Sequence, residues 1–512
     1  MIVIGAGMGG LSAAIDLAQS GARVSLFEAA SAPGGKMRVV RVNGAAVDSG
    51  PTVFTMGWVF EQLFAEAGAD FWARVPCARA KVLARHHWRG GAMLDLPAAA
   101  DAARAAIAAF AGEREADGFD RFRRDAARAY APLREAFMTK ARPSPVELAR
   151  RLGPSGLGAL MAVNPFARLE GRLRHYFRDP RLRQLFGRYA TYSGASPYAA
   201  PATLMVIAHV ELDGVWHVAG GMIAVAAAMA ALAAQSGAVL RYDSPVAEIL
   251  TRGGKAAGVK LASGEEIPAE AVLFNGDPDA LRDGLLGAAA RDGGPRDAPR
   301  RSLSALTWSI AAQASGFTLL RHNVFFSDDY RAEFDALFGR GEIPADPTLY
   351  VCAQDQGDAP QALEGPQRLF VLANAPARGD QLTQKEVETC ETRMRARLAE
   401  AGLAIDWATA TAIRTSPDDF ARRFPGSAGA LYGRAIHGPL ASFTRPASRT
   451  RLAGLYLAGG ATHPSAGVPM ATLSGRLAAL QIATDLGLRR PSRPAAISGS
   501  ISTPSAPVPA TG

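Results

Sequence analysis

Cysteine is scarce in this sequence of 512 residues, which contains only Cys77, Cys352 and Cys390. Three cysteines so far apart form neither a disulfide framework nor the paired spacing of a zinc site. No other metal-ligand motif accompanies them, so we expect no metal centre and a reducing, cytoplasmic compartment. Because Met1 stands almost directly before the first apolar run, we also expect no signal peptide.

Long hydrophobic runs are missing as well. The longest, residues 222–234, is shorter than the ~20 residues of a membrane-spanning helix. A hydrophobic share of 48% with 20% charged residues is typical of a globular protein, and the length predicts two or more domains. The net charge of +9 comes without a nucleic-acid-binding motif, so we expect no nucleic acid partner. An anionic membrane surface would attract the same arginines.

A cofactor motif opens the chain. Three apolar residues lead into Gly5-x-Gly7-x-x-Gly10, and a helical pattern follows at once. The first glycine permits a tight turn, the second lets the backbone approach a pyrophosphate, and the third lets helix and strand pack closely. A second apolar strand ends at Glu28, an acid that can accept hydrogen bonds from ribose hydroxyls. This pattern predicts a dinucleotide site; the alternative is a glycine-rich turn with an incidental surface Glu28.

Two further glycine turns indicate that the dinucleotide carries a flavin. The loop Pro33-Gly-Gly-Lys36-Met-Arg38 is basic, as are the loops that flavoproteins place beside the pyrophosphate. The alternative is a surface turn with solvated cations. Near the other end, Gly459-Gly460 follows an apolar strand and precedes a helix with Pro469 in its first turn. A helix N-terminus there would stabilise the negative charge of a reduced flavin.

The middle of the chain divides into two long excursions from this dinucleotide domain. Residues 60–140 are mostly helical in period, and His86-His87 is expected to be a packing or surface pair. Strand-like sequence returns at 239–274, so the domain is expected to combine separate segments. We predict a dinucleotide domain of 1–85, 214–280 and 440–488, a helical insertion of 86–213 that could face a membrane, a substrate domain of 281–439 and a disordered tail of 489–512.

The segment Phe166–Tyr189 is unusual because arginines alternate with large apolar residues. Such a segment suits a membrane interface, where apolar stems are buried and charged heads meet lipid phosphates. It equally suits two amphipathic helices packed on a core and separated at Asp179-Pro180. The sequence leaves both interpretations open.

Together these blocks resemble the carotenoid desaturases of the phytoene desaturase family, within the flavin amine oxidase superfamily. The resemblance includes Asp48-x-Gly50-Pro51-Thr52 and the block from Ala461 to Pro469. Residues 51–56, 198–201 and 215–222 are similar to the branch that acts on 1-hydroxycarotenoids, the hydroxyneurosporene or methoxyneurosporene 3,4-desaturases of purple phototrophic bacteria. The wider superfamily usually has arginine where Lys36 stands, and an acid where Gly460 and Ala461 stand.

The resemblance implies an α/β, Rossmann-type FAD-binding domain assembled from discontinuous segments, with inserted substrate and helical domains. It also implies desaturation of an acyclic carotenoid by hydride transfer to flavin N5, an unidentified electron acceptor, and peripheral contact with lipid at the inner membrane. The expected cofactor-binding residues are Gly5, Gly7, Gly10, Glu28, Lys36, Arg38, Val246, Gly459, Gly460, Val468 and Met470.

The group that accepts the substrate's proton is undetermined at this stage. His217, Glu211 and Asp213 are candidates because they precede the turn at Gly220-Gly221, whereas His463 is expected to be structural. Guesses for a partner of the substrate hydroxyl are Tyr192, Tyr198 and Trp216. Alternative functions are a carotenoid isomerase without net oxidation, a phytoene-type desaturase, an amine or porphyrinogen oxidase and, least of all, a lipid carrier.

Overall fold

The computed structural model describes residues 1–488 apart from 299, 362 and 364, so the predicted tail of 489–512 lies outside the described residues. The strands, in chain order, are β1 (Ile2–Ile4), β2 (Ser25–Phe27), β3 (Val39–Val42), β4 (Ala45–Asp48), β5 (Phe54–Thr55), β6 (Cys77–Arg79), β7 (Val82–His87), β8 (Met93–Pro97), β9 (Val215–Val218), β10 (Val239–Arg241), β11 (Val246–Arg252), β12 (Lys255–Leu261), β13 (Glu266–Pro268), β14 (Val272–Phe274), β15 (Ser304–Ala312), β16 (Ala314–Gly316), β17 (His322–Phe325), β18 (Leu349–Ala353), β19 (Gln367–Ala375), β20 (Leu403–Ile405), β21 (Thr411–Thr415) and β22 (Leu455–Leu457).

The α-helices are α1 (Met8–Gln19), α2 (Trp58–Glu66), α3 (Phe71–Arg74), α4 (Ala100–Ala111), α5 (Glu113–Leu133), α6 (Pro145–Ala162), α7 (Leu169–Tyr176), α8 (Pro180–Gly187), α9 (Val206–Asp213), α10 (Ile223–Gln235), α11 (Asp279–Arg282), α12 (Tyr330–Phe334), α13 (Gln384–Glu400), α14 (Pro417–Arg423) and α15 (Val468–Asp485).

The dinucleotide domain is a parallel five-stranded sheet in the order β10-β2-β1-β14-β22. Its strands come from three widely separated parts of the chain, which confirms the predicted discontinuous assembly. Helices α1 and α15 pack so closely that a Cβ at Gly475 would lie 1.9 Å from the carbonyl oxygen of Gly9. Only glycine fits at that crossing, so the first and last helices of the domain depend on each other.

A second sheet has seven strands in the order β21-β15-β19-β18-β17-β7-β8. All nine residues of β15, which lies between β21 and β19, are buried, because α13 covers one face of the sheet and the β3–β4 hairpin lies against the other. The boundary predicted between residues 85 and 86 falls inside β7, so it is wrong: β7 and β8 belong to this sheet. His86 and His87 are buried in β7, which agrees with packing roles.

The Arg-rich segment forms the two packed helices α7 and α8. Asp179 caps α8 by accepting a hydrogen bond from the Arg181 amide at 2.7 Å, and Pro180 occupies the first turn. Apart from Phe166, which precedes α7 and is exposed, the large apolar residues of the segment are buried in the core, while Arg172 donates to the Ala162 carbonyl and to Tyr176. The apolar side chains of α7 and α8 therefore have no surface to offer to lipid. Among the described residues, no helix is both long and apolar enough to cross a membrane.

Candidate flavin and substrate site

The first glycine turn joins β1 to α1 and is held by Glu28. One carboxylate oxygen of Glu28 accepts from the Ala6 amide at 2.6 Å, and the other accepts from the Ala30 amide at 2.8 Å. Gly5 adopts a positive φ of 98°, and a Cβ at Gly10 would lie 2.0 Å from the Gly5 carbonyl oxygen. The turn thus needs glycine at both positions, one for conformation and one for helix–strand contact.

A second glycine turn, after β22, meets the first turn at Asn275. The Asn275 amide donates to the Gly5 carbonyl at 3.1 Å. A Cβ at Gly9 would lie 2.6 Å from the Asn275 side-chain oxygen, and one at Gly459 would lie 2.7 Å from it. Asn275 follows β14, which lies between β1 and β22 in the sheet, and its side chain therefore separates the two turns that follow those strands. This role was not predicted; the available signal was a polar residue directly after the buried strand β14.

Both turns present helix N-termini that suit an anionic cofactor. Helix α1 begins after Gly7 and α15 begins after Gly467, and neither has a side-chain cap at its N-terminus. The first amide groups of each helix are therefore not taken by a capping side chain and favour negative charge. A Cβ at Gly460 would meet only one atom, at 3.7 Å, which leaves open space before the second turn. These residues fit a flavin dinucleotide.

The two cations of the basic loop have different surroundings. The Lys36 ammonium donates to the Leu431 carbonyl at 2.7 Å, and burial lowers its pKa to about 8. The Arg38 guanidinium donates to Thr415 at 2.7 Å and lies over the Phe420 ring. Arg38, which was predicted to contact the pyrophosphate, is thus held by Thr415 of β21 and Phe420 of α14 and does not line the cavity described below.

One cavity of about 840 Å³ connects these turns to the helical insertion. Of the predicted cofactor residues, all line it except Gly10 and Arg38: they are Gly5, Gly7, Glu28, Lys36, Val246, Gly459, Gly460, Val468 and Met470. Beyond the turns the lining is mainly apolar, with Leu133, Phe137, Met138, Leu148, Leu160, Leu204, Ile207 and Val210. Such a lining suits a long hydrocarbon and excludes water from the reacting carbons.

A compact group of polar side chains interrupts this apolar lining. Glu211 accepts from the Tyr192 hydroxyl at 2.5 Å and from the Tyr189 hydroxyl at 2.7 Å. Arg188 donates to the same Tyr192 hydroxyl at 3.2 Å. Among these, Arg188, Tyr192 and Glu211 line the cavity. Neither Arg188 nor Tyr189 was predicted as a site residue, since no motif surrounds them and their proximity to Glu211 arises only from packing.

The three predicted proton acceptors are separated by the fold. Glu211 lines the cavity, whereas Asp213 is exposed at the end of the same helix, α9. His217 lies on β9 outside the cavity lining, and burial lowers its pKa. His463 is buried, lies 2.9 Å from the Lys140 carbonyl oxygen and packs on Phe137, in keeping with a structural role. Glu211 is thus the predicted acceptor that a substrate could reach.

Of the three guesses for a hydroxyl partner, Tyr192 lines the cavity, whereas Tyr198 and Trp216 do not. Trp216 lies on β9 and packs against Phe54 and Trp72. Within the described residues, no group of three or more His, Cys, Asp and Glu side chains could hold a metal ion. The chemistry of this site is therefore set by a flavin-compatible cradle, an apolar cavity and one polar cluster.

Comparison with known proteins agrees with this geometry. The model of the flavin containing amine oxidoreductase family matches residues 8–483, so the chain belongs to that family. Within it, the chain belongs with the carotenoid desaturases: hydroxyneurosporene desaturase from Rubrivivax gelatinosus is 51% identical, over 99% of this chain and 97% of that protein. Hydroxyneurosporene desaturase from Cereibacter sphaeroides is 46% identical, over 96% and 98%.

A solved structure shows the shared fold. Cyclohexylamine oxidase from Brevibacterium oxydans IH-35A has a TM-score of 0.55 at 14% identity, covering 95% of this chain and 99% of that protein. The predicted fold class, a flavin amine oxidase fold with a discontinuous dinucleotide domain, is confirmed. The cofactor implied by the family is a flavin.

Proposed function

We propose that this protein is an FAD-dependent desaturase that removes two hydrogens from an acyclic 1-hydroxycarotenoid and forms the C3–C4 double bond. The observation that carries the proposal is the single, mainly apolar cavity that runs from the two glycine turns into the helical insertion. The two hydroxyneurosporene desaturases, at 51% and 46% identity over nearly the whole chain, support the choice of substrate.

The residues of the first turn favour FAD over a mononucleotide. Glu28 lines the cavity at the end of β2 and retains carboxylate lone pairs beyond its two bonds to backbone amides. It can thus bind the hydroxyls of an adenosine ribose, which a mononucleotide lacks. The bound flavin supplies a hydride acceptor. Gly460, where an added Cβ would meet only one atom, would leave room for its ring, and the N-terminus of α15 would stabilise the negative charge of the reduced ring.

The chain itself positions the substrate, excludes water from the cavity and removes a proton. The apolar lining holds the polyene and keeps water from the developing cation. Glu211 then accepts the proton from the carbon next to the site of hydride loss, because it is the cavity-lining carboxylate among the predicted acceptors. Its bonds to Tyr189 and Tyr192 fix its orientation.

A pigment assay tests the proposed function. Expression of the chain with a hydroxylated acyclic carotenoid should give a product with one more conjugated double bond and a red-shifted spectrum. Under anaerobic conditions without an added acceptor, we expect the purified protein to stop after about one product per flavin. Continued turnover under those conditions would favour a carotenoid isomerase, and phytoene as the better substrate would favour a phytoene-type desaturase.

We further propose that the protein binds peripherally to the cytoplasmic face of the inner membrane through α6. We define the α6 patch as the exposed apolar residues Val146, Leu157, Met161, Phe166 and Leu440. Val146 is 79% exposed and Phe166 is 65% exposed. On the same helix, Leu148 and Leu160 line the cavity, so α6 contributes to both the patch and the apolar path. A carotenoid dissolved in lipid could enter there without crossing water.

Cations flank the α6 patch and would add affinity for anionic lipid. Arg150, Arg168 and Arg174 are exposed on α6, before α7 and on α7; Arg150 forms an ion pair with Glu147 and Arg174 with Glu170. Each basic residue near an anionic surface contributes roughly 1 kcal/mol, so binding should be reversible and sensitive to salt.

Replacing Val146, Met161 and Phe166 together with serine should reduce cosedimentation with anionic liposomes several-fold, since the change removes the apolar part of the surface. The matched control is Val239→Ser, because Val239 is 58% exposed on the edge strand β10 of the dinucleotide domain. Equal loss in the triple variant and the control, or no loss in either, would contradict the assignment of the α6 patch.

A further inference from the structure

Arg188 places a positive charge in a cavity whose lining is mainly apolar. It begins a 3₁₀ helix, Arg188–Ser193, that follows α8 directly. Its guanidinium lies over the rings of Tyr192, at 5.2 Å, and Tyr350, at 5.9 Å. Stacking on two aromatic rings holds the planar group in place without using its hydrogen-bond donors.

Most of those donors remain available to a ligand. Arg188 donates to the Tyr192 hydroxyl, and within the described part of the chain no carboxylate oxygen lies within 4.0 Å of its guanidinium. Glu211, the acid of the cluster, is already bonded to Tyr189 and Tyr192. Burial disfavours the charge of Arg188, but Tyr192 and Glu211 nearby outweigh this effect and raise its pKa. The cavity therefore contains a fixed cation with free N–H groups.

A chain of close contacts connects the 3₁₀ helix of Arg188 to the second glycine turn. The 3₁₀ helix ends at Gly194, where a Cβ would lie 2.5 Å from the Tyr432 ring. The next residue along, Gly433, abuts Ala461 of the second glycine turn, with a Cβ distance of 2.9 Å. On the other side, Tyr350 shares a 2.6 Å hydrogen bond with Thr52.

We propose that Arg188 binds the oxygen on the substrate's terminal carbon C1 and thereby selects oxygenated end groups. The inference rests on the proposed function and deepens it. In a 1-hydroxycarotenoid the oxygen-bearing C1 is two bonds from C3, the nearer carbon of the bond that is desaturated. A group that binds this oxygen must therefore lie towards the glycine turns and not at the far end of the cavity, and the contacts of Gly194 with Tyr432 and of Gly433 with Ala461 connect the helix of Arg188 to those turns.

The cluster can both donate a hydrogen bond to a hydroxyl group and accept one from it. The oxygen accepts from the guanidinium, while its hydrogen can be donated to Glu211, whose two oxygens have lone pairs beyond those used by the tyrosines. A methoxy group can use the first interaction but not the second. A plain hydrocarbon end uses neither and leaves a desolvated guanidinium without its partner.

The test is a competition between two acyclic carotenoids of the same conjugation length, one with a 1-hydroxyl and one without. For the unaltered protein we expect kcat/KM to favour the hydroxylated substrate by at least about tenfold. Arg188→Met should remove most of this preference by lowering kcat/KM for the hydroxylated substrate alone. Arg188→Lys, which keeps the charge but not the planar fork, should restore part of it. The matched control is Arg331→Met, because Arg331 lies over the Tyr198 ring outside the cavity.

An unchanged preference in Arg188→Met with full flavin content would overturn the proposal. A parallel loss for both substrates would also overturn it, because that result indicates a structural role. If Arg188→Met does not fold, the ratio of kcat/KM for the two substrates is measured in Arg188→Lys instead. An unchanged ratio in that variant would overturn the proposal. Failure of the proposed function itself is distinguishable, since the unaltered protein would then desaturate neither carotenoid.

Discussion

Gly7→Val should leave the protein without bound flavin and therefore without activity. Gly7 precedes α1 with a φ of −72°, which valine tolerates, so the backbone itself is not strained. The added side chain would occupy the space before the N-terminus of α1, starting 3.0 Å from the Asn275 amide. That space is where the pyrophosphate must approach the backbone. The ratio of flavin absorbance to protein absorbance measures the loss directly.

The control for this change is Gly171→Val on α7, where an added Cβ meets nothing within 4 Å. We expect the control to retain its flavin, apart from a small cost in helix stability. Circular dichroism of Gly7→Val separates loss of the cofactor from loss of the fold. Normal flavin content in folded Gly7→Val would contradict the assignment of this turn.

The parts of the site that were predictable from the sequence are those whose members are close along the chain. A strand, a glycine turn and a helix are contiguous, so the spacing of Gly5, Gly7 and Gly10 already fixes their geometry. Glu28 follows from the same unit, because the next strand is the neighbour of the first in the sheet. Arg38, by contrast, depends on Thr415, which is 377 residues away, and no local pattern could reveal that contact.

Periodicity also cannot show which surface an apolar face meets. The helices α7 and α8 have the composition of a membrane interface, yet their large residues are buried against the neighbouring helices. Helix α6 has a less unusual sequence but leaves Val146 and Met161 exposed. Helix α6, which is kinked at Gly153, buries only Leu148, Leu152 and Gly156. Tertiary packing therefore decides which helix exposes an apolar face, and composition alone does not.

The polar cluster illustrates the same limit at the site itself. Tyr189, Tyr192 and Arg188 lie within five residues of one another, but Glu211 comes from a different helix. From the sequence, Glu211 and Asp213 were equivalent candidates two residues apart. Successive positions on a helix point in different directions, so only one of the two can face the cavity. Which one does so depends on how α9 is rotated against its neighbours.

Glu211→Gln should therefore slow the reaction by on the order of 10²-fold or more, the usual contribution of a positioned acid or base. Glutamine keeps the size of the side chain but cannot take up the proton lost from the substrate. Asp213→Asn is the matched control, because Asp213 lies on the same helix but is exposed. The measurement is the rate of flavin bleaching in an anaerobic single turnover with saturating hydroxylated carotenoid, which excludes effects of the electron acceptor. Equal rates in Glu211→Gln and the unaltered protein, at equal flavin content, would show that another group removes the proton.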